Sequence, residues 1–317
     1  MDNLTHTLVG LALADSGLKR TTRFGTMVLV VGANLPDLDG FTYLVASSTD
    51  ALAFRRGWTH GILAMVALPL LLTAAVLGWR RLTARRQRGP APDPGWVLAL
   101  AIIGIWSHPL LDLLNTYGVR LLMPFSHRWF YGDALFIVDP WVWAVLLIGI
   151  VLTRRRSRSA ARPGRIRRTT RPVRVALAAA ATYALVMAVS SRVGRIYVER
   201  HSQSAARRTM VAPVLGTPFR REVIRDLGGR YEFGELALPR PAYAPIDVQS
   251  DGHDAPGVRA ASATRAGTQF LQWSRFPQFV TEPRGDSIRV NLSDARYAAV
   301  GSRSWASVAV TVPAENR

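Results

Sequence analysis

The chain reads as a mainly α, polytopic transmembrane helical bundle. Four spanning helices are expected, with an N-terminal pair of short apolar helices before them and a C-terminal β-rich or α+β extracytoplasmic domain after them. Three observations predict this class. Hydrophobic residues make up 49% of the 317, a high share for a water-soluble protein. Four apolar runs close to twenty residues long recur between positions 61 and 191, near the length that crosses a bilayer core. From about position 220 the pattern turns to a period of two, as in Ser287-Ile288-Arg289-Val290-Asn291-Leu292 and Ser307-Val308-Ala309-Val310-Thr311-Val312, which is the signature of half-buried strands. The expected division is a membrane-embedded domain over 1–192 and an extracytoplasmic domain over 193–317.

Residues 4–18 form the first apolar helix, with Asp2 or Asn3 placed to cap it. It lacks a preceding basic region and so reads as a retained helix rather than a signal peptide. Phe24 to Gly40, FGTMVLVVGANLPDLDG, is a second short apolar segment whose helix ends at Pro36. Both fall short of about 20 residues, so a hairpin dipping partway into the membrane is expected. Residues 41–59 read as a polar connection. Spanning helices are expected at Gly61–Trp79, Trp96–Asn115, Phe136–Leu152 and Val173–Ser191. Pro109 has no N–H for the Ile105 carbonyl, so a kink is expected beside His108. The Arg/Ser/Pro stretch 153–172 reads as a disordered or lipid-adherent loop.

The net charge of +19 invites a nucleic-acid reading, which its distribution excludes. Eighteen of the 40 basic residues sit in three short segments without an acidic residue: Lys19–Arg23, Arg80–Arg88 and Arg154–Arg174. The remainder of the chain is nearly neutral. Arg-rich loops beside apolar runs are retained in the cytoplasm and attract anionic lipid. By that rule 41–59, 116–135 and the tail after 192 lie outside. The chain has no cysteine, so disulfides and thiolate metal sites are excluded.

Polar residues in the apolar part converge on the outer side of this topology. His6, Asp37, Asp39, His60, His108, Asp112 and Asp139 all fall there, with Asn115 beside Asp112. Alone, His6 reads as a packing histidine, Asp37 and Asp39 as a capped turn, His60 as an interfacial residue, and Asp139 before Pro140 as a helix cap. Their convergence points to one site, since ionisable groups within a membrane are costly and rarely lack partners. His108 and Asp112 lie on one helical face. Imidazole and carboxylate together hold a divalent metal: zinc first, with manganese or iron as alternatives, as one or two ions. Two ions would activate water and stabilise the leaving oxygen in phosphoester hydrolysis.

Four ordered motifs carry a resemblance. They are Thr5-His6-Thr7-Leu8, Leu35-Pro36-Asp37-Leu38-Asp39, Arg56-Gly57-Trp58-Thr59-His60, and Ser107-His108-Pro109-Leu110-Leu111-Asp112 continuing through Tyr117-Gly118-Val119 to Met123-Pro124. Over about residues 1–152 the sequence resembles the YdjM-like (LexA-regulated) membrane-bound metal-dependent hydrolases, which are distantly similar to zinc-dependent phospholipase C and P1-type nucleases. The resemblance implies that His6, Asp37, Asp39, His60, His108 and Asp112 are metal ligands and that the substrate is a phosphoester. Around the third motif Arg55 replaces the family's first His, and Gly61 replaces its Ser.

The leading expectation is therefore a membrane-bound metal-dependent hydrolase of a bacterial-type inner membrane, acting on a phosphoester, lipid-derived ones included, at the extracytoplasmic face. Arg56 is expected to steady a phosphoryl oxygen, Asp139 to take part in catalysis, and Asn115, Tyr117 and Asp133 to support the ligands. The alternative is a non-enzymatic metal-binding or ion-transport membrane protein.

Overall fold

The computed structural model describes residues 1–84, 89–160, 170–297 and 304–314. Residues 161–169 of the expected 153–172 loop lie outside these, as do Arg85, Arg86 and Arg88. The chain divides into two compact units. One is Met1–Asp39, Arg56–Ser190 and Leu215–Thr217; the other is Gly40–Arg55, Ser191–Val214 and Pro218–Arg317.

The first unit begins with α1 (Asn3–Asp15), where Asp2 is the N-cap and accepts from the Thr5 N–H. Helix α2 (Gly25–Asn34) runs into a 3-10 turn, Leu35–Phe41, because Pro36 cannot continue the α-helical bonding. The stretch expected as a polar connection, which belongs to the second unit, holds a four-residue helix, α3 (Thr42–Val45), and a helix capped by Ser47, α4 (Ser48–Phe54). The local cause of α4 is Ser47 placed three residues before Asp50, whose N–H its side chain accepts. Next come α5 (Ile62–Leu82), α6 (Pro94–Leu113), α7 (Pro140–Ala160) and α8 (Arg171–His201). Asp93 caps α6 and Pro94 opens it, and the helix is continuous through Pro109.

Among the described residues, four helical stretches are long and apolar enough to cross a membrane: Gly25–Val45, Ile62–Leu82, Pro94–Leu113 and Arg171–His201. The number agrees with the sequence expectation and one member differs. The second apolar segment continues through the 3-10 turn to Val45 instead of stopping at Pro36. Helix α7 is not among the four, because Arg154, Arg155 and Arg156 fall inside it. The expected loop from 153 is correspondingly helical to Ala160, and helix resumes at Arg171.

Small residues let α1, α2 and α6 approach closely. A Cβ on Gly10 would stand 3.0 Å from the Leu29 carbonyl oxygen, and one on Gly104 only 2.9 Å from the same atom. Gly32 faces the Gly104 backbone across that crossing, the kind of contact that packs helices where hydrophobicity cannot. Two cores flank the crossing. Leu8, Ala12, Val142, Leu146, Ile150 and Val173 join α1 to α7 and α8, while Val28, Leu29, Leu72, Val97 and Ile105 join α2 to α5 and α6.

The second unit is α+β. Strands β1 (Arg208–Val214), β2 (Thr217–Asp226), β3 (Arg230–Ala237) and β4 (Ala242–Ser250) form one sheet in that order. After α9 (Val258–Ala263) and α10 (Arg265–Trp273), strands β5 (Pro277–Arg284), β6 (Ser287–Asp294) and β7 (Ser307–Pro313) form a second. The two alternating runs seen in the sequence are the neighbours β6 and β7, with Val290 opposite Val310 and Leu292 opposite Val308. Strand structure starts at Arg208, earlier than the pattern near 220 indicated.

At the end of β6 the buried Asp294 receives Arg296 Nε at 2.8 Å and Nη2 at 2.9 Å, with the Ser274 hydroxyl at 2.7 Å. Burial pushes its carboxyl up, but the Arg296 guanidinium and these hydrogen bonds outweigh that and hold it below the usual range. A depressed folded pKa stabilises fully above the unfolded value of about 3.9 and loses that contribution as pH falls through the folded value. Amide-exchange protection of β5–β7 should therefore fall steeply below about pH 4, and Asp294→Asn should remove that dependence.

Candidate metal centre

The site lies where α1, the 3-10 turn after α2, the 55–61 turn and α6 meet. His6 sits on the second turn of α1. Asp37 and Asp39 come from the Leu35–Phe41 turn, His60 precedes α5, and His108 and Asp112 stand one turn apart on α6. His6, His60, His108 and Asp112 are 0% exposed and Asp39 is 2%. Ligand atoms of Asp37, His60, His108 and Asp112 all lie within 4.8 Å of one another. His6 and Asp39 adjoin this group through Asp112 and His60, so all six residues expected as ligands are neighbours.

Asp112 is the centre of the arrangement. Its Oδ2 lies 3.3 Å from His60 Nε2, 3.5 Å from His108 Nε2 and 3.2 Å from Arg56 Nε. Its Oδ1 lies 3.4 Å from His6 Nε2 and also faces the Met1 amino nitrogen. Asp37 Oδ1 is 3.7 Å from His108 Nε2. The Nε2 atoms of His6, His60 and His108 are buried and make no hydrogen bond. The nitrogen to oxygen gaps are too long for good hydrogen bonds. They match the separation of about 3.3 Å between two ligands that each lie 2.0–2.1 Å from a shared tetrahedral ion. Donor set, burial and spacing therefore fit a divalent metal.

The ring orientations are set from behind. His108 Nδ1 is 2.7 Å from the Ala33 carbonyl oxygen. A carbonyl only accepts, so Nδ1 carries the proton and Nε2 presents its lone pair to the carboxylates. Thr59 Oγ1 donates to Asp39 Oδ2 at 2.8 Å and lies 2.8 Å from His60 Nδ1. The hydroxyl has one hydrogen, given to Asp39, so it accepts from the imidazole and again leaves Nε2 as the lone-pair atom. Burial, followed by the nearby His108 and Arg56, holds His60 well below its ordinary pKa, in the neutral form a ligand requires. His6 stacks on His108 with ring centroids 3.7 Å apart. Asp39 also accepts the Arg56 N–H at 2.7 Å, which assigns it to orienting the 55–61 turn.

The other expected site residues divide. Arg56 is buried with φ +50, a costly backbone for a side chain of its size. Its guanidinium faces protein groups: Asp112, Asn115 Oδ1 at 3.3 Å, the Gly118 carbonyl at 3.4 Å, and the Tyr117 ring at 4.5 Å. It balances the carboxylate charge and ties α6 to the following loop. Asn115 accepts from the Tyr117 and Gly118 N–H groups and reaches Asp112 with Nδ2 at 3.5 Å. Asp133 is buried with φ +50, on the segment where Leu135 pairs with Asn115.

Asp139 takes the helix-cap alternative of the sequence reading. Its Oδ1 caps α7 by accepting from the Trp141 and Val142 N–H groups at 3.0 and 3.1 Å, and its Oδ2 accepts from the Tyr183 hydroxyl at 3.2 Å. The carboxylate is engaged as a helix cap and is not brought into the cluster. Arg55, where the resembled family has a histidine, lies 5.8 Å over the Tyr43 ring.

Thr59 and the Ala33 carbonyl escaped the sequence reading. Only the position of Thr59 beside His60 could have signalled the first, and no side-chain pattern marks the second. Thr59→Val should weaken metal affinity by about 10- to 100-fold, with Thr59→Ser restoring it; chelator competition on the full chain measures both.

The profile of the YdjM inner membrane protein family matches residues 1–194. Uncharacterized protein YfhP of Bacillus subtilis (strain 168) is 23% identical over 165 residues, which is 48% of this chain and 46% of that protein. The chain thus spans about half the length of this curated relative. No solved structure matches.

Proposed function

The chain belongs to the YdjM inner membrane protein family, and from that premise we propose that it is a membrane-bound metal-dependent hydrolase that cleaves a phosphoester of a lipid-derived substrate at the extracytoplasmic face. The observation that carries this reading is the set of three buried Nε2 atoms, two of them fixed as lone-pair atoms, gathered around the Asp112 carboxylate. His60, His108, Asp37 and Asp112 hold the metal, with His6 closing the site. A divalent ion there supplies Lewis acidity toward water and a phosphoryl oxygen.

The chain's own residues prepare the site. Asp39 and Thr59 fix the His60 tautomer, and the Ala33 carbonyl fixes that of His108. Arg56 offsets the carboxylate charge, and the burial of the ligands keeps bulk water from competing. An apolar cavity of about 660 Å³ runs beside the ligand-bearing helices, lined by Val9, Leu13, Trp106, Leu110, Leu111 and Leu114 among others. An apolar cavity walled by the helices that carry His6, His108 and Asp112 supports a substrate with an acyl chain.

An ion-pathway reading finds less support. Nine residues beyond His6 on α1, Asp15 is neutralised by Lys19 Nζ at 2.5 Å and Arg154 Nε at 2.8 Å. Between His6 and Asp15, Thr7 is the only polar side chain. The test is metal analysis of the purified full chain for zinc, manganese and iron, with phosphodiesterase and lipase panels on metal-loaded and chelated protein. Bound metal with chelator-sensitive cleavage is expected. Bound metal without any cleavage would support the non-enzymatic alternative instead.

A further inference from the structure

A second cavity, of about 480 Å³, opens between α7 and α8, away from the histidine cluster. Its walls include Ile148, Leu152, Val175 and Ala179, and Arg156 and Arg171 stand among its lining. Gly149 seats the two helices, since a Cβ there would lie 2.3 Å from the Ala176 Cβ. The space is therefore an amphipathic groove: apolar side chains from both helices, with two guanidinium groups at the start of α8 and the last turns of α7.

The arginines at this end are not alike. Arg154 is paired with the buried Asp15. Arg156 and Arg171 have no carboxylate partner among the described residues, and residues 161–170, between them in the chain, include no acidic residue. Two uncompensated cations over an apolar groove match one chemistry, a phosphate carrying a net negative headgroup with an acyl chain attached. We propose that the α7–α8 groove binds an anionic glycerophospholipid, with Arg156 and Arg171 on its phosphate and the chain lying along Leu152, Ile148 and Ala179. This site is separate from the metal centre and independent of any hydrolysis there.

The test uses the full chain in a neutral detergent, with thermal unfolding followed during titration by dioctanoyl phosphatidylglycerol, dioctanoyl phosphatidylcholine or inorganic phosphate. Wild type should be stabilised by the first and not by the other two. Arg156→Ala/Arg171→Ala should need roughly 30-fold more phosphatidylglycerol for the same shift. Arg155→Ala, which removes a neighbouring charge that does not line the groove, should behave as wild type. Ala179→Trp keeps both arginines and fills the groove, so it should weaken the lipid response even if the double variant fails to fold. Equal responses in wild type and Ala179→Trp would overturn the proposal. So would a response to inorganic phosphate that matches the lipid, or a loss in Arg155→Ala as large as in the double variant.

Discussion

Purified Asp112→Asn protein will carry less than about a tenth of the metal that wild type retains, because a change at a ligand should exceed the 10- to 100-fold loss typical of outer-shell changes. The amide keeps the carboxylate's shape and removes its charge, so the three imidazole nitrogens lose the anion they share. Asp112→Ala will also be less stable by about 3–5 kcal/mol, the usual result of breaking a buried ion pair from one side, since the Arg56 side chain is only 4% exposed beside it. Metal content by elemental analysis and thermal unfolding in detergent read the two effects separately. Asp112→Asn with wild-type metal stoichiometry would refute the assignment of the centre.

The second large effect comes from a residue with no functional group. Gly104→Leu will lower both unfolding temperature and metal retention, because its Cβ would meet the Leu29 carbonyl oxygen at 2.9 Å and drive α2 from α6. Overpacking of this kind typically costs about 1–3 kcal/mol. The same displacement would draw the Ala33 carbonyl from His108 Nδ1, now at 2.7 Å, and Asp37 from His108 Nε2, now at 3.7 Å. A stability loss without a loss of metal would show that the helix crossing does not position the ligands. Gly78→Ala is the matched control: nothing lies within 4 Å of a Cβ there, and replacing a helical glycine where a methyl meets no neighbour usually stabilises by about 0.5–1 kcal/mol.

The site was more legible in the sequence than the boundaries of the helices that hold it. His108 and Asp112 could be paired because one helical turn is a local property, and the six His and Asp residues of the cluster stood out because charge is rare in apolar segments. Asp139 drew notice for the same reason. Any carboxylate next to an apolar run draws notice, and Pro140 after it was an equally good sign of the cap it forms. Thr59 was invisible because its role depends on Asp39, twenty residues away, completing a hydroxyl relay. The helices of 42–54 were missed because their signals are short, a serine cap and a handful of residues. The extent of α7 was misjudged because arginines continue a helix as readily as leucines, so the end of hydrophobicity was not the end of helix.

Helix α8 carries a further consequence. It runs for 31 residues, about 46 Å at 1.5 Å per residue. The part between Arg174 and Arg192 has no charged side chain and extends for roughly 26 Å, a little less than an average hydrocarbon core of about 30 Å. The two arginines therefore act as stops on a ruler. In a thick bilayer they must stretch toward the headgroups or thin the lipid around them. Helix α8 is thus matched to a hydrocarbon core slightly thinner than average, so lipid thickness should join lipid charge among the conditions that set its stability.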